Sequence, residues 1–194
     1  MITKHINKLI HERRSIYPHQ FIKKNISNEI IQELLSNANM APTHKLTQPW
    51  RFKVIQDSAR KTLGEFLSKI NSSRSNSKIL SSFKNDKIIQ KCLMSNAIIV
   101  ICMQRDSSKS IPKWEEIAST SMAVQNIWLS CTAYGIGCYW SSPKSIEKIG
   151  DLIKLNPGER CLGFLYLGYY KKNEKLFFKR DPINSKVDWI NSFN

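Results

Sequence analysis

Three short stretches of this chain carry side chains that packing alone explains poorly. The first is Arg13-Arg14-Ser15, at the end of an apolar-periodic segment. Two adjacent guanidiniums and a hydroxyl can grip a phosphate, because arginine presents a planar fork of donors that matches phosphate oxygens. The plainer reading is a solvated helix end, where arginine neutralises the C-terminal dipole. The second stretch runs from Ala41 to Trp50 (APTHKLTQPW). Its two prolines stiffen a connector that displays His44, Lys45 and Gln48, each able to hydrogen-bond a polar heterocycle. The third is Gly135-Ile136-Gly137-Cys138-Tyr139-Trp140-Ser141-Ser142-Pro143. Glycine permits close backbone approach, Trp140 offers a stacking face, and Ser141 and Ser142 offer hydroxyls. Together these stretches amount to a phosphate grip, a heterocycle reader and an aromatic platform.

Other chemistries are disfavoured. No Ser/His/Asp triad can be assembled. Glu115 and Glu116 are adjacent, so on a helix they point about 100° apart and do not converge as an acid/base pair; they read as partners of a helix N-terminal dipole. The five cysteines, at 92, 102, 131, 138 and 161, are odd in number and form no C-x-x-C pair. That argues for reduced, buried thiols over a disulfide framework or a structural zinc site. The four histidines form no H-x-x-x-H, so no metal site is expected. Lys and Arg number 30 against 15 acidic residues, a net charge of +15 and a pI near 9.7. The lysines are scattered singly or in pairs, which points to compositional bias first and to a phosphorylated small ligand second. A basic RNA-binding module would need aromatics on a basic face; here they cluster in apparent core strands, and no nucleic-acid partner is expected.

The elements that must position these stretches follow from periodicity. With 194 residues, 41% of them hydrophobic, the chain reads as one globular domain over 1–194. The longest apolar run, Ala97 to Met103, falls far short of the ~20 residues a bilayer span needs. The N-terminus is charged from Lys4 and His5 onward with no apolar leader, so a cytoplasmic protein without a membrane partner is expected. Apolar spacing predicts helices over 4–13, from Ser27 as N-cap to Ala38, after Asp57 through Ile70, over 114–134, and briefly over 145–154. Strands are predicted from Trp50 with one fully apolar face, over 97–103 buried on both faces, briefly at Tyr139-Trp140, and over 161–170. The Ser/Asn/Lys-rich stretch 71–86 reads as a mobile excursion or lid. The tail, 171–194, is polar but carries Phe177, Phe178, Trp189 and Phe193, and wants a second subunit to pack on. This order gives a mixed α+β fold with a small sheet. A doubly wound dinucleotide fold is disfavoured, because Gly135-Ile136-Gly137 follows a helix and not a strand.

Taken in order, these landmarks resemble the FMN-dependent nitroreductase family. The resemblance rests on Glu12-Arg13-Arg14-Ser15, Ala41-Pro42…Gln48-Pro49-Trp50-Arg51-Phe52, the long helix ending at Tyr134-Gly135-Ile136-Gly137, Tyr139-Trp140-Ser141, and Gly163-Phe164-Leu165-Tyr166-Leu167-Gly168. The short length, His44-Lys45 and Ile111-Pro112-Lys113-Trp114-Glu115 look most like the family's small NAD(P)H nitroreductases. The resemblance implies a small, antiparallel-dominated sheet wrapped by helices, in an intertwined homodimer with two FMN sites at the interface. It implies that Arg13, Arg14 and Ser15 contact the FMN phosphate and ribityl chain, with Arg180 near the phosphate. Met40 and His44 would approach from the partner, with Lys45 and Gln48 in the same loop, and Trp140, Ser141 and Ser142 would line the flavin. By position, Ser130, Cys131, Thr132, Ala133, Tyr134 and Gly135 would meet NAD(P)H. Leu46 stands where many members carry Asn, and Tyr17-Pro18 follows where a polar residue is usual. The implied chemistry is hydride transfer from NAD(P)H through flavin N5 to a flat acceptor such as a nitroaromatic or quinone, with Lys45 stabilising charge near N1 and Trp140, Tyr139 or Phe83 as walls. No protein side chain then acts as the catalytic nucleophile. The alternative within the same fold is other flavin chemistry, such as dehalogenation or desaturation.

Overall fold

The computed structural model describes residues 2–72, 78–172 and 180–192. Its axis is strand β2 (Ala97–Gln104), whose branched apolar run suits the pleated backbone and is buried from Ala97 to Met103. Antiparallel neighbours flank it: β1 (Trp50–Ile55) on one side and β4 (Glu159–Tyr169) on the other. Strand β3 (Ile136–Ser141) pairs with β4, so the sheet order is β1-β2-β4-β3.

Side-chain alternation along β2 divides the core in two. Ile99 and Ile101 join Leu165, Leu167, Ile136 and Cys138 beneath α2 (Asn28–Ala38) and α5 (Lys113–Ala133). Ile98, Val100 and Cys102 join Phe164 and Tyr166 beneath α3 (Ala59–Ser72) and α4 (Lys78–Met94). The sheet is thus a middle layer between two helical ones. Helix α1 (Ile2–Glu12) packs on α5. The chain after it runs along the free edge of β3. Ser15 bridges Cys138 in parallel register, and the Ile16 N–H donates to the Cys138 carbonyl at 2.9 Å. Further on, Phe21 crosses the sheet where Gly168 leaves room; a Cβ at Gly168 would lie 2.4 Å from the Phe21 ring.

Most expected elements are present, and Ser27 caps α2 by accepting from the Ile30 N–H at 3.4 Å. Four differences have physical reasons. Helix α4 is an addition to the expected elements: its early apolar residues Ile79, Leu80 and Phe83 are embedded in the Ser/Asn/Lys-rich stretch that reads as an excursion, and the rest (Ile88, Ile89, Cys92, Leu93, Met94) crowd its last turns. Of the stretch 71–86, residues 71–72 end α3 and 78–86 begin α4, while 73–77 lie outside the described residues. The apolar face of β1 is incomplete: Trp50 is buried, but Val54 is 37% exposed and Ile55 is buried on the opposite face, as an edge strand permits. The helix expected over 145–154 is a 3-10 helix, Lys144–Asp151. In the tail, Trp189 is 84% exposed, and Phe177, Phe178 and Phe193 lie outside the described residues. All five cysteines are buried free thiols. Among the described residues no helix is long and apolar enough to cross a membrane.

Candidate functional site

The first cluster forms a cationic corner against α5. The Arg13 guanidinium lies 4.9 Å over the Trp128 ring, a cation–π contact. The Trp128 indole N–H donates to the Arg14 carbonyl at 3.0 Å, so one residue of α5 pins both arginines. Arg14 folds back, donating to the carbonyls of His11 and Arg13. Ser15 is exposed beside Cys138. Burial, then the charges of Arg14 and Arg180, holds Arg13 below the ordinary guanidinium pKa. Like charges that disfavour the protonated form of Arg13 make a place where an anion is favoured. A phosphate fits this corner: it would neutralise the mutual repulsion of Arg13, Arg14 and Arg180 and accept from planar donors. Trp128 lies within the long helix predicted over 114–134. Its role as the corner's floor depends on a contact more than a hundred residues from Arg14.

The proline-braced loop is held under backbone strain. Lys45, Leu46 and Gln48 all adopt positive φ (49°, 54° and 42°), a region that costs an L-residue roughly 1–2 kcal/mol. Such strain persists only where surroundings impose it, and it collects at functional sites. Here Thr43 Oγ1 accepts the Gln48 N–H at 3.1 Å, and Arg51 donates to the Gln48 carbonyl at 2.8 Å. Lys45 Nζ donates to the Ser110 carbonyl at 3.2 Å, and His44 Nδ1 lies 2.5 Å from Glu115 Oε2. Met40 is 71% exposed. The two glutamates at the start of α5 therefore have divergent tasks beyond the helix dipole. Glu115 holds His44. Glu116 is fully buried, pairs with Arg105 and accepts the Asp106 N–H at 2.7 Å. Arg105 also donates to the Ile111 carbonyl at 2.7 Å, so this pair braces the 105–111 turn on which Lys45 rests. Nothing in local sequence marks Glu116 for that role.

The glycine bend becomes β3, and strand alternation parts its members. Trp140 shares the α2/α5 side of the sheet with Cys138, whereas Tyr139 packs on the α3/α4 side. The Trp140 indole lies over Gly163 so closely that a Cβ there would be 2.1 Å from Nε1. Ser141 instead borders a cavity of about 450 Å³ with Lys91, Lys144 and Tyr166. Ser142 is exposed. The 130–135 stretch also divides. Ser130 accepts from Asn37 at 3.0 Å and Cys131 is buried. Thr132, Ala133 and Gly135 border a separate cavity of about 500 Å³, shared with His5, Lys8 and Lys172. Tyr134 is raised in pKa by its hydrogen bond to Glu33.

Helix α5 relates the clusters. Asn126 and Ser130 bond Asn37 at the end of α2, while Trp128 meets Arg13 and Arg14. At about 100° per residue, Trp128 points about 160° away from Ser130. The Met40–Gln48 loop and the arginine corner therefore lie on opposite sides of one helix. Along the axis, Glu115 and Trp128 are separated by about 20 Å at 1.5 Å per residue.

A four-stranded antiparallel sheet between helical layers, with an arginine corner at the edge strand, defines the nitroreductase-like fold. The structure superimposes on that of a nitroreductase-like family protein from Bacillus cereus with a TM-score of 0.82 and 30% identity, covering 96% of each chain. Residues 10–169 match the model of the Nitroreductase family, and the chain belongs to that family. The FMN-dependent nitroreductase NfnB from Mycobacterium smegmatis, solved with NADPH, shares the fold at TM-score 0.80 and 14% identity, covering 98% of this chain and 100% of its own. "Putative NAD(P)H nitroreductase YfhC" of Bacillus subtilis (strain 168) is 26% identical over 188 residues, covering 93% of this chain and 92% of its own.

Proposed function

We propose that this chain is an FMN-dependent oxidoreductase acting as a cytoplasmic homodimer, each subunit one domain over 1–194 with its 171–194 tail packed on the partner. The observation that carries the cofactor is the corner of Arg13, Arg14 and Arg180 against Trp128. The relatives support it: NfnB is FMN-dependent and was solved with NADPH, and the name of YfhC gives NAD(P)H as its reductant. Bound FMN supplies hydride chemistry at N5, from NAD(P)H to a flat acceptor such as a nitroaromatic or quinone.

The chain's own residues bind and orient. Arg13, Arg14 and Arg180 hold the phosphate, with Ser15 beside them at the edge of β3. Trp140, Ser141 and Ser142 meet the ring end from the end of β3, Trp140 from the α5 side of the sheet and Ser141 from the α4 side. Met40, His44 and Gln48 stand across α5 from the corner, so they reach the flavin of the second subunit. That geometry supports the dimer, as do the exposed apolar residues Met40, Leu46 and Ile2. Lys45 is engaged by Ser110, so it braces the loop. Thr132, Ala133 and Gly135 border the cavity offered to the nucleotide. Five free buried thiols suit a reducing compartment.

Titration of purified protein with FMN, followed by flavin fluorescence, tests the cofactor. Saturable binding at one FMN per chain, a dimer by sedimentation, and acceptor-dependent NAD(P)H oxidation are expected. A monomer that ignores FMN would refute the reading.

A further inference from the structure

Strand β4 switches faces once along its length. Phe164 and Tyr166 pack on the α3/α4 side of the sheet, and Leu165 and Leu167 on the α2/α5 side. Strict alternation would continue with Leu162 on the first side and Cys161 on the second. The structure has the reverse: Leu162 packs on the α2/α5 side and Cys161 on the α3/α4 side. The cause is a bulge. Ile101 of β2 pairs with Gly163 and Cys102 with Cys161, so Leu162 stands between them outside the pairing. A bulge re-aims the side chains beyond it. This one brings Cys161 directly opposite Cys102, which is itself on the α3/α4 side.

Opposed residues of an antiparallel pair have Cα atoms about 4.5–5.5 Å apart, inside the span of about 4.4–6.8 Å that a disulfide bridges. The two thiols already hydrogen-bond one another, which draws the Cys161 pKa down and pushes the Cys102 pKa up. Lys53 of β1 ion-pairs with Glu159; its ammonium favours a thiolate at either sulfur, and the Glu159 carboxylate opposes it. Cys161 is 5% exposed, two residues into β4, whereas Cys102 is fully buried. The other thiols lack this combination. Burial raises Cys92 to about 11. Cys131 and Cys138 also hydrogen-bond, between α5 and β3, but both are fully enclosed, and burial pushes Cys138 well up in spite of Arg13.

We propose that Cys102 and Cys161 form a redox-active dithiol that reduces a hydroperoxide and closes to a disulfide between β2 and β4. The Cys161 thiolate attacks one peroxide oxygen; the O–O bond breaks, hydroxide leaves and Cys161 becomes a sulfenic acid. The Cys102 sulfur then attacks the sulfenic sulfur, the S–O bond breaks and a second hydroxide leaves. The two thiol protons convert the hydroxides to water. Two thiols are thereby oxidised to one disulfide, and one hydrogen peroxide is reduced to two waters. The step needs neither flavin nor acceptor, so it stands apart from the reading above.

The test treats reduced full-length protein with one equivalent of hydrogen peroxide, blocks the remaining thiols under denaturing conditions and maps linked peptides by tandem mass spectrometry. Loss of two of the five free thiols, a link between Cys102 and Cys161, and return of all five with dithiothreitol are expected. In Cys102→Ser the attacking sulfur has no resolving partner, so a sulfenic acid trapped by dimedone should collect at Cys161. In Cys161→Ser no thiol should be lost. Retention of all five thiols in the wild type, a link confined to Cys131 and Cys138, or undiminished thiol loss in Cys161→Ser overturns the proposal. The wild-type map decides the matter even where a variant fails to fold.

Discussion

Replacing Arg13 by methionine separates phosphate recognition from everything else the corner does. Without ligand, the change removes a cation–π contact with Trp128, a loss of about 0.5–1 kcal/mol. It also relieves the repulsion that Arg14 and Arg180 exert on Arg13. These effects oppose each other, so the melting temperature of the ligand-free protein should move by no more than about 2–4 °C. With FMN the balance changes, because the repulsion is already neutralised by phosphate and only a charge-assisted contact is lost. Such a contact contributes about 1.5–3 kcal/mol. At 1.4 kcal/mol per decade, Kd for FMN should rise about 10–150-fold. Riboflavin lacks the phosphate, and its Kd should not change. Flavin fluorescence titration of both ligands against both proteins closes the cycle. Raising the salt from 50 to 300 mM should weaken FMN binding in the wild type and narrow the gap to the variant, since an exposed part of the corner is screened. Equal loss for riboflavin would show that Arg13 shapes the ring pocket instead, and an unchanged FMN Kd would remove the phosphate from this corner. Arg14→Met should cost stability as well as affinity, because Arg14 also bonds the carbonyls of His11 and Arg13.

Gly163→Ala places a methyl 2.1 Å from Trp140 Nε1, an overpacking cost of about 1–3 kcal/mol; a lower melting temperature with altered Trp fluorescence is expected, and an unshifted spectrum would contradict the close approach. Glu116→Ala strands Arg105, whose side chain is 21% exposed in the pair. Breaking a buried pair costs about 3–5 kcal/mol, and the low end applies to a partner that can reach water, so the melting temperature should fall by about 6–12 °C. Asp106 accepts from Ser108 and Ser110, which lowers its carboxyl from 3.8 to about 2. A depressed carboxylate favours the native turn above its unfolded pKa, and that contribution disappears as pH falls from about 4 towards 2. Carboxylate NMR of Ser108→Ala combined with Ser110→Ala should show Asp106 titrating closer to 3.8; titration that stays near 2 would assign the shift to other groups.

Legibility in the sequence tracks how local the cause is. Ser27 caps α2 because its hydroxyl acts on an amide three residues on, a rule visible in any window. The β2 run is buried on both faces, and its composition alone says so. Arg13-Arg14 and the Pro42–Pro49 loop stand out because their residue types are costly to keep for packing. By contrast, α4 escaped because its first apolar residues are embedded in a Ser/Asn/Lys-rich stretch. Trp128 and Glu116 escaped because each has its meaning from a contact outside its own helix: with Arg14 and with Arg105. A tryptophan or glutamate on a helix has an ordinary explanation until the third dimension supplies another.

Strand alternation explains why the glycine bend was only half legible. The sequence presents Trp140, Ser141 and Ser142 as one patch, but successive side chains of a strand leave on opposite faces. Trp140 is therefore committed to the α5 side, where Gly163 makes room for its indole. Ser141 borders the cavity lined by Lys91, Lys144 and Tyr166 on the α4 side. The arginine corner lies on the α5 side through its contacts with Trp128. From there Ser15 and Ile16 run beside Cys138 of β3. The 13–17 segment therefore has two tasks in one place. It closes an edge strand that would otherwise expose unpaired amides, and it carries the arginines that Trp128 pins.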